Sequence, residues 1–209
     1  VPYSRIFVAT SNPGKLADFA AAATAHNIDV LPLPEIRQIE APEETGTSFA
    51  ANAKLKAEFY SRYAPDQVVI ADDSGLVVDA LRGEPGVRSA RYAEDAGIIS
   101  GDPDRANNQL LLKRTEAIAD SRRQCAFVCV IAAALNGKTL QTFSAEARGM
   151  LLRAPRGSNG FGYDPLFYFP DVGKSFAELS REEKLKISHR GAAFRMFLQW
   201  MDEQSDAPR

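Results

Sequence analysis

Gln67-Val68-Val69-Ile70-Ala71-Asp72-Asp73-Ser74-Gly75 passes without a break from an apolar run to two adjacent carboxylates. The run is short, rich in β-branched residues and without polar alternation, which reads as a strand covered on both faces, Gln67 to Ala71, in an α/β sheet. At the end of such a strand two neighbouring carboxylates repel each other unless a cation or hydrogen bonds offset the cost. Hard cations such as magnesium take one or two carboxylate oxygens, with water and phosphate oxygens completing the shell. The doublet therefore reads either as a metal site or as a solvated turn with a capping Asp.

Working outward, Ser4 to Thr10 reads as a short buried strand, followed by a helix that Ser11 or Asn12 caps, with Pro13 in its first turn. Leu16, Phe19, Ala20 and Ala23 give that helix an apolar face. Ile28 to Leu33 suggests a second strand, and a helix is expected from about Ser48 to Tyr63. The stretch Arg82 to Gly101 reads as an ordered loop with some helix, and Asp102-Pro103 opens a helix carrying Leu110, Leu111 and Leu112. Cys125 to Leu135 and Lys138 to Arg148 read as strands turning at Asn136-Gly137, a strong hairpin signal. Pro155 to Pro165 is a glycine-rich loop, Ser180 and Glu183 form a capping box, and a last helix is expected from about His189 to Glu203, with Ala193, Phe197 and Trp200 inside and a frayed polar tail from Gln204. Without repeats or a linker, the 209 residues read as one domain around a mixed sheet.

Composition narrows the function. A formal net charge of −2 does not support a broad basic surface for duplex nucleic acid. No apolar run reaches the roughly 18 residues that span a bilayer. Val1 to Arg5 lacks the basic start and long apolar region of a signal peptide, so a cytoplasmic location is expected. Cys125 and Cys129 would lie about 13 Å apart on a strand at roughly 3.3 Å per residue, too far for a disulfide. They are expected as buried thiols in a reducing compartment.

Four further stretches carry chemistry. Thr10-Ser11-Asn12-Pro13-Gly14-Lys15 places a helix N-terminus, a glycine and a cation where a strand ends, an arrangement that suits a phosphate but lacks the spacing of a P-loop. Glu43-Glu44-Thr45-Gly46 precedes Asn52 and Lys56, which are four residues apart and so share one helical face. In Ser158-Asn159-Gly160-Phe161-Gly162-Tyr163-Asp164-Pro165, glycines flank an aromatic on which a flat base could stack, with Asp164 as a hydrogen-bond acceptor; a structural turn is the simpler alternative. Lys184 through His189-Arg190-Gly191 sets a basic pair at a helix N-terminus, where the dipole disfavours cations, so an anionic or polar partner is expected, either a ligand or the local Glu182 and Glu183.

Together, "VATSNPGK", "EETGTSFAANAKLKA", "ADDSGLVVDALRGEPGVRSARYA", "APRGSNGFGYDPLF" and "GKSFAELSREEKLKISHRG" resemble the inosine/xanthosine triphosphate pyrophosphatase family, also called the Ham1 or RdgB-like family. The similarity extends from about Arg5 to the final helix, departing mildly in the first loop and at Lys186. The resemblance implies a two-lobed α/β fold around a long mixed sheet, an active site in the cleft between lobes, and a homodimer, for which Val87 to Tyr92 is a candidate surface. It implies that Thr10 to Lys15 hold the triphosphate and that Asp73 is the general base and a magnesium (Mg2+) ligand, with Glu43 or Glu44 completing the metal site. It further implies that Ser74 contacts substrate, that Phe161, Gly162, Tyr163 and Asp164 line the nucleoside pocket, and that Lys184, His189 and Arg190 contact base and phosphate. Nothing is transferred to Glu94–Asp120.

The implied reaction is hydrolysis of ITP, dITP and XTP to the monophosphate and pyrophosphate, which keeps these nucleotides out of DNA and RNA. Lys15, and Lys56 from its helical spacing, are candidates to stand beside the metal. Inosine and xanthine carry a carbonyl oxygen where adenine carries an amino group, so a pocket donor such as Arg190 or a backbone N–H would separate them. A Maf-like pyrophosphatase of other base preference and a non-catalytic nucleotide-binding module are the competing readings.

Overall fold

Strands Arg5–Val8 (β1), Asp29–Pro32 (β2) and Val68–Val78 (β3) run parallel in the order β2-β1-β3. The computed structural model describes residues 5–23 and 28–206; Val1 to Ser4 and the last part of the expected tail lie outside them. Between the strands run helices Pro13–Ala23 (α1) and Phe49–Tyr60 (α2), the second continued by a short 3-10 turn over Ser61–Tyr63. Asn12 is the cap of α1: its Oδ1 accepts the N–H groups of Gly14 at 2.8 Å and Lys15 at 3.2 Å. Ser48 caps α2 through the N–H of Ala51.

After β3 come the expected loop, which contains a short helix, Tyr92–Asp95 (α3), and then helix Pro103–Arg114 (α4), capped by Asp102. Strands Gln124–Leu135 (β4) and Lys138–Leu151 (β5) join through Asn136 and Gly137, both at positive φ as a two-residue hairpin turn requires. Two short strands without a sequence signal follow, Phe167–Phe169 (β6) and Lys174–Ser175 (β7), antiparallel to their neighbours. Helices Arg181–Ile187 (α5) and His189–Asp206 (α6) close the chain. Ser180 and Glu183 form the expected capping box, and α6 continues through Gln204, where a frayed tail was expected. The complete sheet is mixed, seven strands in the order β2-β1-β3-β4-β5-β6-β7.

The chain divides into two compact units: Val1–Asp73 with Cys129–Ala145 and His189–Arg209, and Ser74–Val128 with Glu146–Ser188. In the first unit, strand alternation feeds two cores. Ile6, Val8, Val68, Ile70, Cys129 and Ile131 pack with Phe19 of α1 and Phe194, Phe197 and Leu198 of α6. Val69, Ala71, Val130 and Ala132 pack with Ala53, Ala57 and Tyr60 of α2. Both faces of this part of the sheet are covered, which explains why β3 reads as an uninterrupted apolar run. On α1, Phe19 and Ala23 are buried as expected, whereas Ala20 is exposed and Asp18 takes an interior place.

The second unit has its own core, centred on Phe127, Phe167 and Phe176 and completed by Leu76, Leu111, Tyr163 and Leu166. The Phe167 and Phe176 rings lie 4.5 Å apart, within the range of favourable aromatic pairs. Cys129 belongs to the first unit's core and Cys125 to the second's. Burial pushes both thiols up to about 12, so they are inert at neutral pH, as the sequence suggested. Among the described residues, no helix is long and apolar enough to cross a membrane.

Candidate functional site

The acid doublet stands in the middle of β3 rather than at its end, and this corrects the expectation that the strand stops at Ala71. Successive side chains of a strand point to opposite faces. Asp73 therefore follows Ala71 to the α2 side, and Asp72 follows Ile70 to the side of α1 and α6. The neighbouring carboxylates do not form a pair. Asp72 faces Lys15 and Arg190 and Asp73 faces Lys56, and these cations counter the repulsion and desolvation of the two carboxylates, fully for Asp72 and in part for Asp73.

On the α2 side, Lys56 Nζ lies 3.1 Å from Asp73 Oδ1 and 3.4 Å from Glu44 Oε1. Asn52, one helical turn earlier, donates from Nδ2 to Asp73 Oδ2 at 3.2 Å and accepts the Gly46 N–H on Oδ1 at 2.8 Å. Asn52 thus ties the Glu44 loop to Asp73. The sequence placed it beside Lys56 but gave it no role; its i, i+4 spacing was the available signal. Glu43 is exposed and lines a different hollow on α2, with Lys54 and Glu58. Of the two glutamates, Glu44 is the one that converges with Asp73.

Burial, the largest influence, raises the Asp73 carboxyl above its ordinary value; Lys56 opposes this and Glu44 adds to it. Burial would lower the Lys56 ammonium, but Asp73, Asp72 and Glu44 outweigh it and raise it. Among the described residues, no three His, Cys, Asp or Glu side chains cluster as a closed metal cage. Magnesium does not ask for one: two carboxylates converging on a single positive charge are the hard-oxygen set it takes, with water and phosphate for the rest. Asp73 and Glu44 fit such an ion.

On the opposite face, Asp72 Oδ2 accepts Lys15 Nζ at 2.8 Å, and Arg190 Nη2 stands 3.7 Å away. Arg190 Nη1 also bonds Asp18 Oδ2 at 3.2 Å. The anionic partners expected for Arg190 are thus Asp18 and Asp72. Glu182 and Glu183 are engaged elsewhere, with Lys186 and with the Ser180 cap. Burial alone would raise the Asp72 carboxyl, but Lys15, Arg190 and Lys56 together hold it far below the ordinary carboxylate range. Asp18 escaped the sequence reading because an acid on an apolar helix face looks like a break in the pattern.

Thr10, Ser11, Asn12 and Pro13 form one wall of a hollow of about 490 Å³, with Arg37 and Gln38 also lining it. The N–H groups of Gly14 and Lys15, expected to meet phosphate, are held by the Asn12 cap. Among the residues lining this hollow the cation is Arg37, whereas the Lys15 ammonium is paired with Asp72. His189 is buried at the start of α6.

In the second unit, Asp164 organises the glycine-rich loop. Its Oδ2 accepts the Phe161 N–H at 2.9 Å and is ion-paired to Lys184. Lys184 Nζ in turn lies 5.0 Å from the centre of the half-buried Phe161 ring. Phe161, Asp164 and Lys184 are therefore brought together. Tyr163 is not available to line a pocket: it is buried in the core and its hydroxyl donates to Ser89 O at 2.9 Å. Ser74, the first residue of this unit on β3, is half-buried.

The family model described as the Ham1 family matches residues 6–200. A dITP/XTP pyrophosphatase of Acidobacterium capsulatum is 52% identical over 196 residues, covering 92% of this chain and 96% of that protein. One from Geobacillus kaustophilus is 45% identical over 200 residues, with 95% and 93% covered. Among solved structures, the Staphylococcus aureus Ham1 protein superposes with a TM-score of 0.80 at 38% identity, covering 96% of this chain and 99% of that one. A HAM1 protein from Coxiella burnetii gives 0.81 at 37% identity, with 95% and 98% covered. A match of this length, joined to the carboxylate–lysine cluster on β3 and the ordered Phe161 loop, leaves one assignment: the chain belongs to the Ham1 family.

Proposed function

We propose that this chain is a magnesium-dependent pyrophosphatase of non-standard purine nucleoside triphosphates, converting ITP, dITP and XTP to the monophosphate and pyrophosphate. The observation that carries the reading is the cluster of Asp73, Glu44, Lys56 and Asn52, in which two carboxylates converge on one ammonium. The curated relatives' name, dITP/XTP pyrophosphatase, supports the substrate class.

Water attacks the α-phosphorus, the bond to the bridging oxygen breaks, and the electron pair leaves with pyrophosphate. Asp73 takes the proton of the attacking water; a carboxyl raised by burial is a better base than an exposed one. Magnesium, held by Asp73 and Glu44, would neutralise phosphate charge. Asn52 orients the Asp73 carboxylate, while Lys56 and Lys15 add positive charge for the departing oxygens. Thr10 to Lys15 receive the triphosphate, and His189 and Arg190 complete that end.

The base stacks on Phe161 with Lys184 above the ring. A purine carbonyl oxygen accepts from that ammonium, whereas the amino group of adenine sets donor against donor. A buried mismatch of that kind discriminates by about 10⁴-fold. The reading includes a homodimer. In the candidate surface, Ser89 and Tyr92 are buried in the chain's own interior, which leaves the exposed Arg88, Ala90 and Arg91 and the half-buried Val87, with the exposed Ile98 and Ile99 nearby in sequence, to meet a second copy.

Pyrophosphate release from ITP, XTP, GTP, ATP and dTTP, with magnesium and with EDTA, tests this. Fast magnesium-dependent release from ITP and XTP is expected, with ATP excluded by its 6-amino group, and GTP, which shares the 6-carbonyl, reads whether the pocket also rejects a 2-amino group. Preference for dTTP would move the chain to a Maf-like activity, and no release by folded protein would leave a binding module.

A further inference from the structure

Helix α4 lies in the part of the chain to which the resemblance assigned nothing, yet it holds the loop on which the base is placed. Asp104 and Asn108 are four residues apart and so share one helical face. Asp104 Oδ2 accepts the Gly162 N–H at 2.7 Å, and Asn108 Nδ2 donates to the Gly162 carbonyl at 2.8 Å. Both polar groups of one loop residue are thus taken by one helix. Gly162 has φ +61, a conformation glycine adopts without steric cost.

These bonds complete the restraint of Phe161. Its own N–H is held by Asp164, and the residue after it is fixed at both ends. Packing contributes little on this side, because side chains from α4 and from the loop line a hollow of about 320 Å³ that includes Asp104, Asn108, Phe161 and Gly162. Residues 153–160, leading into the loop, are exposed throughout. Asn108 Oδ1 meets no hydrogen-bond partner among the described residues, so its amide is held by what Nδ2 donates. Asp104 is exposed, and a carboxylate there is not needed to fill a core.

We propose that Asp104 and Asn108 are positioning residues for the purine base: through the Gly162 peptide groups they fix the Phe161 ring, and they touch no substrate themselves. The inference rests on the assignment of Phe161 as the stacking surface. Asp104→Ala and Asn108→Ala should each raise KM for ITP about tenfold, the factor that goes with one lost hydrogen bond, with kcat within about twofold of wild type. Product inhibition separates the two ends of the substrate. Inhibition by inosine monophosphate should weaken by the same factor as KM rises, while inhibition by inorganic pyrophosphate stays unchanged.

Asp104→Asn should restore near-wild-type KM, because the amide oxygen still accepts the Gly162 N–H. If Asp104→Asn behaves as Asp104→Ala does, charge rather than the hydrogen bond is at work and the clamp is wrong. Unchanged KM and monophosphate inhibition in both alanine variants would also overturn it, provided that Phe161→Ala raises KM and weakens monophosphate inhibition. If Phe161→Ala changes neither, the base assignment itself fails and the clamp falls with it. Asp104 is exposed, so its variants read the clamp even where Asn108→Ala lowers the melting temperature.

Discussion

Asp72 and Asp73 share a peptide bond and little else. Asp72 is held as a carboxylate by Lys15 and Arg190, whereas burial pushes Asp73 toward its protonated form. A carboxyl held below its unfolded value, about 3.9, adds stability that is complete above that value and lost as pH falls through the folded one. Asp72→Asn should therefore cost about 3 kcal/mol in urea unfolding at pH 7 with EDTA, the scale of a broken buried ion pair. The difference from wild type should shrink as pH drops below about 4. For Asp73 the sign reverses: a raised carboxyl loses its stabilising contribution as pH rises through the folded value, so at neutral pH the charge is a burden on folding. Asp73→Asn should unfold at the same or a higher urea concentration, while turnover of ITP falls about 10²–10⁴-fold. Turnover near wild type would remove Asp73 from the role of base.

At the scale of elements, strand pitch and helix pitch together assemble the cluster. The period of two in β3 sends Asp73 to α2, and the period of 3.6 in α2 presents Asn52 and Lys56 to it as a pair. The second unit contains a comparable junction with a structural purpose. Arg123, 3% exposed, lies between α4 and β4, donating to the carbonyls of Leu151 at 2.8 Å, Thr115 at 2.6 Å and Leu152 at 3.0 Å. Arg123→Met leaves these acceptors without their donor, and at about 1 kcal/mol each the expected loss is roughly 3 kcal/mol. Arg123→Lys should recover only part of it, because a point ammonium cannot serve carbonyls arranged for a planar fork. Urea unfolding curves of the two variants check this, and a loss below about 0.5 kcal/mol for Arg123→Met would refute it.

Across the whole molecule, each unit is stabilised by its own aromatic core. Phe176 stacks with Phe127 and meets Phe167, while Phe197 packs with Phe194 and Phe143. Replacing either with Ala should cost about 3–5 kcal/mol. Functional effects should diverge. Phe176 also lies under Lys184, 5.7 Å from its Nζ, so Phe176→Ala should raise KM for ITP as well as lower the melting temperature. Phe197→Ala, measured well below its melting point, should leave KM near wild type. Equal effects on KM would mean that Lys184 is not positioned by this core.

The sequence by itself determined much of this protein because the relevant signals are local. Asn12, Ser48, Asp102 and Ser180 cap their helices through neighbours two or three residues away, and Asn136-Gly137 sets the hairpin by its own dihedrals. Of the residues the motifs singled out, Phe161, Asp164 and Lys184 lie together and Lys56 reaches Asp73. Tertiary structure decided what depends on partners far along the chain. That Asp72 and Asp73 part company required knowing that β3 continues past them and that α1 and α6 bring cations to one face and α2 to the other. Glu44 was separated from Glu43 by the reach of one lysine. Asp18 answers Arg190 across 172 positions of sequence, and Asp104 and Asn108 hold a glycine more than 50 residues away. Strands β6 and β7 are too short to carry a period; β6 forms on the edge that β5 offers, and β7 on the edge of β6. Electrostatic and hydrogen-bond partnerships act through space, so a linear pattern records the groups that need a partner without recording which partner they find.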